Sequence, residues 1–394
     1  MPTRFSRLVR PASLSLLVVW CCSCTDGSRR DAAKSPSATT ALVPTVLAGA
    51  RSSARRVDLL PGPDIVLGGL QRDPSDEFNH RNGLLSGVGL SAGGFAVADG
   101  AKLRLFDGRG RQRAVVGKQG RGPGEVDLFA SLCRTRGDTV VAFDTGLRRI
   151  SVVSPSGQLV RQIPVALIGR LPATGCFDNG TFLLYTLTRR SAGGPVVSVA
   201  QMRLADSTPV RRSQLGVAIA SDRADVLASG QEIIVADPQS GVIHFLDEQG
   251  TLLRALRLRE RAESMSPSDA SRLTGAPMRG SPPAGRRQLP GDGPPATWPF
   301  FAKVLVDNGT GTIWLQDAVR GDFRAPTSWV GIRRDGVVLS RLIVAASAEA
   351  YMGMPPTVVQ FARSGVWLLR RDADGAASFA FFRFSRPAET APRE

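Results

Sequence analysis

The sequence predicts an all-β protein, and three observations carry that expectation. Past residue 56 almost no stretch shows the 3.6-residue period of an amphipathic helix. Short apolar or alternating runs appear instead, bounded by Gly, Pro, Asn and Asp. These runs are grouped into a unit that recurs with a period of roughly 45 residues. With 394 residues and 42% hydrophobic content the chain can bury a large core. Four strands per repeat of this length is the pattern of a β-propeller blade, a small twisted sheet that buries its faces only against neighbouring sheets, so that the ring must close.

Each repeat has an apolar strand ending in Asp, an alternating strand, a Gly-containing turn and a further strand. The first reads Phe95-Ala-Val-Ala-Asp99, Lys102-Leu-Arg-Leu-Phe106, Asp107-Gly-Arg-Gly110. The second reads Val140-Val-Ala-Phe-Asp144, Arg149-Ile-Ser-Val-Val153, Ser154-Pro-Ser-Gly157. The third is Ile233-Ile-Val-Ala-Asp237, Val242-Ile-His-Phe-Leu246, Asp247-Glu-Gln-Gly250, and the fourth runs from Thr312 through Asp317 and Trp329 to Gly336. Weaker copies lie at 181–204 and 365–384, which makes six four-stranded blades over residues 57–384. The strand at 57–68 is left over and is assigned as the outer strand of the last blade, so that the two ends of the chain latch one sheet. A two-sheet β-sandwich is the alternative, since strand spacing alone does not separate the two.

The connection Gly117-Lys-Gln-Gly-Arg-Gly-Pro-Gly-Glu-Val126, with Asp144 and the strand from Arg149 to Gly157, resembles the NHL-type repeat. Blades of that group join through a GxxGxGPGxΦ segment. The chain as a whole resembles bacterial six-bladed propeller lipoproteins of the same broad group. That resemblance implies a propeller with a scaffold role, in a group whose activities differ widely.

The net charge of +16 is almost entirely arginine, because the lysines are Lys34, Lys102, Lys118 and Lys303 alone. Arginine is spread along the chain rather than gathered on one element, which argues against a nucleic-acid footprint. At the N-terminus Arg4, Arg7 and Arg10 precede an apolar run at 12–20 (ASLSLLVVW) and then Cys21-Cys22-Ser23-Cys24. This is the layout of an export signal. The small Ser23 before Cys24 resembles a bacterial lipobox, which implies a lipid-modified Cys24 after removal of the signal at 1–24; cleavage as an ordinary signal peptide is the alternative. Residues 25–56, rich in Ser, Ala, Thr and Arg, read as a flexible tether, and 385–394 as a disordered tail. No later apolar run approaches the ~20 residues of a membrane-spanning helix.

In a propeller the loops joining strands one to two and three to four share one face, and here both kinds are short. The long segments, at 117–127, 188–195, 259–297, 318–328 and 345–356, belong to the other face, where binding is expected. The candidate binding residues there are Arg121, Glu125, Arg148, Arg170, Arg320 and Trp298; guanidinium groups favour carboxylate or phosphate partners. The insertion at 259–297 either covers the channel mouth or is a disordered excursion, with Ser266 placed to cap a short helix. Cys133 and Cys176 occupy the innermost strand of consecutive blades. In an exported chain this suggests a disulfide, with two buried thiols as the alternative.

Chemical motifs are few. Gly89-Leu-Ser91-Ala-Gly93 spells GxSxG, but a strand follows where a nucleophile elbow needs a helix, so Ser91 reads as a hairpin turn. The histidines are His80 and His244 alone, too few for a His-based zinc site. Glu125, Asp127, Asp178 and Asn179 are the candidates for a carboxylate and amide Ca²⁺ or Zn²⁺ site. Asp99, Asp144, Asp237 and Asp317 each end a strand, where a carboxylate accepts backbone N–H groups and fixes a turn. No catalytic residue and no cofactor is assigned. The expected function is a monomeric, non-catalytic binding scaffold in the cell envelope, touching the membrane only through its lipid, with a protein or an anionic envelope ligand as partner and no nucleic acid. The alternative is a lactonase- or lyase-like propeller using Ca²⁺ or Zn²⁺.

Overall fold

A computed structural model describes residues 45–46, 54–69, 77–78, 85–91, 93–165, 173–189, 194–205, 209–221, 223–259, 263–266, 269, 297–318, 324–345 and 355–385. Cys24, His80, Arg170 and Arg320, and most of the 259–297 insertion, lie outside the described residues. No helix among the described residues is long and apolar enough to cross a membrane.

The chain forms a six-bladed β-propeller. Its six sheets are antiparallel in their main four strands and follow one another in sequence. Blade 1 comprises Leu85–Gly89, Phe95–Asp99, Lys102–Phe106 and Gln112–Val116, and blade 2 Phe129–Arg134, Val140–Asp144, Arg149–Val153 and Leu159–Pro164. Blade 3 comprises Ala173–Cys176, Thr181–Arg189, Pro195–Arg203 and Pro209–Gln214, and blade 4 Asp225–Ser229, Glu232–Asp237, Val242–Asp247 and Leu252–Arg257. Blade 5 is built from Lys303–Val306, Ile313–Gln316, Thr327–Ile332 and Val338–Val344. Blade 6 takes Thr357–Ala362, Gly365–Arg371 and Ala377–Arg383 from the C-terminal part, and its outer strand, Ile65–Gly68, from the N-terminal part. Leu67 there faces Phe379 in antiparallel register. The first strands touch one another all the way round, with that of blade 6 against that of blade 1.

Local sequence explains each position in a blade. Second strands are covered on both faces, so they read as unbroken apolar runs: every residue of Phe95–Asp99 and of Val140–Asp144 is buried. Outer strands face solvent and return to alternation, as in Leu252–Arg257. Their edges carry Arg and Pro (Arg113, Arg161, Pro164, Pro209), which discourage pairing with other chains. The turns from strand three to four repeat one design. In Asp107–Gly110, Ser154–Gly157, Asp247–Gly250, Arg333–Gly336 and Asp372–Gly375 the glycine has positive φ and donates its N–H to the carbonyl of the first residue. The ladder then slips by one residue in blades 1, 2, 4 and 5, as in a type I turn closed by a glycine bulge.

The N-terminal stretch departs from the tether expectation. Thr45–Val46 pairs in parallel with Leu256–Arg257, and Arg55–Val57 with Ser340–Leu342. Blades 4 and 5 therefore gain fifth strands before the chain reaches blade 6. The physical reason is that an outer strand offers a free row of backbone donors and acceptors, and a passing extended segment fills it. Val57 is buried at the interface of blades 5 and 6.

Cys133 and Cys176 are joined by a disulfide with Cα atoms 5.6 Å apart, tying the first strands of blades 2 and 3. It closes a loop spanning 43 residues. Replacing both cysteines by alanine is predicted to lower stability by about 4 kcal/mol, chiefly through the freer unfolded chain, measured by urea unfolding with tryptophan fluorescence. An unchanged midpoint would contradict the bond's structural role.

Candidate functional site

First strands run from the long-loop face to the short-loop face, so their starts and ends line the two mouths of the central channel. At the long-loop end stand Asp225, the first residue of blade 4, and Lys303, the first of blade 5. Asp225 Oδ2 accepts the backbone N–H of Val304 at 3.0 Å, and Lys303 Nζ donates to the Val358 carbonyl of blade 6 at 3.4 Å. Burial pushes the Asp225 carboxyl up to about 6, against the opposing pull of the Val304 N–H and the Lys303 charge. Burial lowers Lys303, and burial together with the Asp225 charge raises Tyr185 of blade 3 to about 12.

The predicted long-loop residues are only partly brought together. Arg121 and Glu125 lie in the connection from blade 1 to blade 2, and Arg148 in the turn between the second and third strands of blade 2. Trp298 lies at the base of the insertion beside blade 4, where its N–H donates to the Glu263 carbonyl at 2.8 Å and Thr297 pairs with Ser264. Asp269 N donates to Ser266 Oγ at 3.1 Å, and the helix expected to follow Ser266 lies outside the described residues apart from Asp269. Arg121 and Arg148 are exposed.

Glu125 is turned inward. Its Oε2 accepts the N–H of Gly122 at 2.8 Å, and a Cβ on Gly120 would stand 2.0 Å from the same oxygen. The Glu125 carbonyl takes Gln162 Nε2 at 3.1 Å and the guanidinium of Arg149. The glycines of this connection thus make room for a carboxylate that locks the loop onto blade 2.

The strand-end aspartates have the same structural bent. Asp144 Oδ2 accepts from Asp127 N at 3.0 Å and Asp237 Oδ2 from Ala220 N at 2.7 Å, each reaching 17 residues back to the segment entering the blade. Their second oxygens hold the following turn through Leu147 N and Gln239 N. Asp99 is paired with Arg104 at 2.8 Å inside blade 1, and Asp317 with Arg341 at 3.7 Å. His244 is kept neutral by burial, which lowers its pKa. Ser91 sits in the hairpin turn, its N and Oγ both donating to Asp138 Oδ1 at 2.8 and 3.0 Å.

The four candidate metal ligands do not converge. Glu125 and Asp127 are on the long-loop face, whereas Asp178 and Asn179 occupy a short loop of blade 3 on the other. Asn179 Nδ2 there donates to Glu248 Oε1 at 2.9 Å. Among the described residues no group of three or more metal-ligating side chains occurs.

A concavity does exist, on the face opposite the expected one. A cavity of about 880 Å³ opens between the short loops of blades 1, 5 and 6 and the end of the first strand of blade 2. Leu90, Arg109, Arg134, Asn308, Gln360 and Arg363 are among its walls. Sequence reading missed it because short loops were discounted, although arginine at these loops was visible.

Folding raises the Asp225 pKa from the ordinary 3.8 to about 6, so the folded chain holds that proton more tightly than the unfolded one. Stability is therefore predicted to fall as pH rises from 3.8 to about 6, by on the order of 2 to 3 kcal/mol, and to level off above. Asp225→Asn keeps the acceptor for Val304 N and abolishes that slope. Urea midpoints across this range test it, and an equal slope in the variant would contradict the assignment.

No family model matches the chain, and no curated protein matches it by sequence. Solved structures do. A Bacteroides fragilis protein named as an exported one aligns at 10% identity over 87% of this chain and 100% of its own, with a TM-score of 0.49. A member of the DUF4221 family from Bacteroides vulgatus aligns at 9% identity over 86% of this chain and 100% of its own, with a TM-score of 0.50. At 9% identity the likeness to the second is one of fold alone.

Proposed function

We propose that this chain is an exported binding protein of the bacterial envelope, tethered through a lipid on Cys24, in which the propeller serves as a rigid scaffold rather than a catalyst. The observation that carries the reading is the fate of the side chains with catalytic potential. Ser91, Glu125, Asp144 and Asp237 all spend their polar atoms on the frame. The basic, apolar and Ser23-Cys24 segments in order favour export and acylation, and a disulfide between Cys133 and Cys176 suits an oxidising compartment. The NHL-like connection at 117–126 supports a scaffold of that broad group. A partner of protein or anionic envelope material would meet the long-loop face, where Arg121 and Arg148 are exposed.

In the native envelope, wild-type chain is predicted to fractionate with membranes and Cys24→Ala to move to the soluble fraction. Arg121→Glu with Arg148→Glu is predicted to lose the partner retained by wild type in a pull-down. Membrane retention of Cys24→Ala would overturn the anchor, and unchanged capture would overturn the face. Stoichiometric Ca²⁺ or Zn²⁺ in the purified protein would favour the metal-dependent enzyme instead.

A further inference from the structure

We propose that the cavity on the short-loop face is a binding site for a small organic oxyanion, a carboxylate or a phosphate ester, gripped by Arg109 and Arg363. The inference rests on the binding-scaffold reading in that the cavity holds its ligand without transforming it.

The cavity's volume of about 880 Å³ falls within the range of small-molecule sites. Its charged lining is Arg109, Arg134, Arg363 and Arg383 against Asp64 and Asp307. Both aspartates are committed. Asp64 pairs with Arg383, and Asp307 accepts from Gly309 N at 2.9 Å and Thr310 Oγ1 at 2.7 Å. Arg134 is matched by Asp138 at 3.1 Å and by Ser91 Oγ at 2.8 Å. Arg109 and Arg363 are different: both are exposed, and among the described residues neither guanidinium makes a hydrogen bond or close ion pair, Arg109 feeling only the charge of the neighbouring Asp107.

The neutral groups also point the same way. Gln360 Oε1 is occupied by the N–H of Gly89, which fixes the amide so that Nε2 remains as a donor. Ser229 Oγ accepts from Arg334 Nη2 at 3.1 Å and so gives its own proton to Asn308 Oδ1 at 3.0 Å. That leaves Asn308 Nδ2 as a further donor. A mouth whose free polar side chains are guanidinium, amide N–H and the Ser364 hydroxyl, all able to donate, favours an anion with several acceptor oxygens. Ile65, Leu90 and Phe381, each partly exposed, supply apolar wall, which suits an organic body more than a bare inorganic ion.

The test is calorimetry on the full chain with phenyl phosphate, benzoate and the neutral benzyl alcohol. At least one anion is expected to bind and benzyl alcohol not to, with the two anions separating the phosphate from the carboxylate source. Loss of both guanidinium groups in Arg109→Ala with Arg363→Ala should weaken binding by roughly a hundredfold, about tenfold for each. Arg257→Ala, on the outer strand of blade 4, should leave it unchanged. Unfolding midpoints confirm that each variant is folded, and Arg363→Gln alone serves if the double variant is not. Absence of heat with both anions, indifference to the double substitution, or equal weakening by Arg257→Ala would overturn the site. Conversion of the bound anion, followed by NMR, would instead overturn the scaffold reading while leaving the site in place.

Discussion

The structure depends on one constraint: a blade of four short strands has two apolar faces and can bury neither alone. The buried side chains accordingly sort into six clusters, each shared by two neighbouring blades. Where blades 5 and 6 meet, Trp314 stacks on Phe361 with ring centroids 4.1 Å apart and planes within 3°. Where blades 6 and 1 meet, Phe95 stacks on Trp367 at 4.1 Å, and Phe78, fully buried, packs edge-on against Phe106 and Phe379. Leaving any one interface open would expose several aromatic and branched side chains, each worth ~1.5–3 kcal/mol when buried. Closure through Ile65–Gly68 is how the ring avoids that cost.

Closure also decides what the polar residues can do. With every blade held radially, loops can only gather at the two mouths of the channel. Many polar side chains there first serve the frame: Asp144 and Asp237 hold the strand entering their blade, and Glu125 locks a glycine-rich connection. Functional capacity then lies with the groups the frame leaves unused. On the long-loop face these include Arg121 and Arg148, and at the other mouth Arg109 and Arg363 beside the amides of Asn308 and Gln360.

Much of the wheel is legible in the sequence because it is written in local chemistry. Doubly covered second strands read as apolar runs, glycine bulges recur after the third strands, and the orphan strand before residue 69 has only the last blade to complete. The extra parallel strands at Thr45–Val46 and Arg55–Val57 are not legible. They are too short to show alternation, and backbone pairing to a sheet edge demands little of side chains. The short-loop cavity is hidden for a different reason. Arg109, Arg134, Asn308 and Arg363 come from four blades, and only the closed ring makes them neighbours. Glu125 misled because a carboxylate in a surface loop reads as a ligand, yet the glycines around it signalled that space was needed for its own side chain.

Amide hydrogen exchange at Ile65–Gly68, followed by mass spectrometry, tests ring closure most directly. A latch completing blade 6 predicts protection matching that of its partner strand Ala377–Arg383, lost together with it as denaturant is added. Rapid exchange of Ile65–Gly68 while Ala377–Arg383 stays protected would contradict the closed wheel.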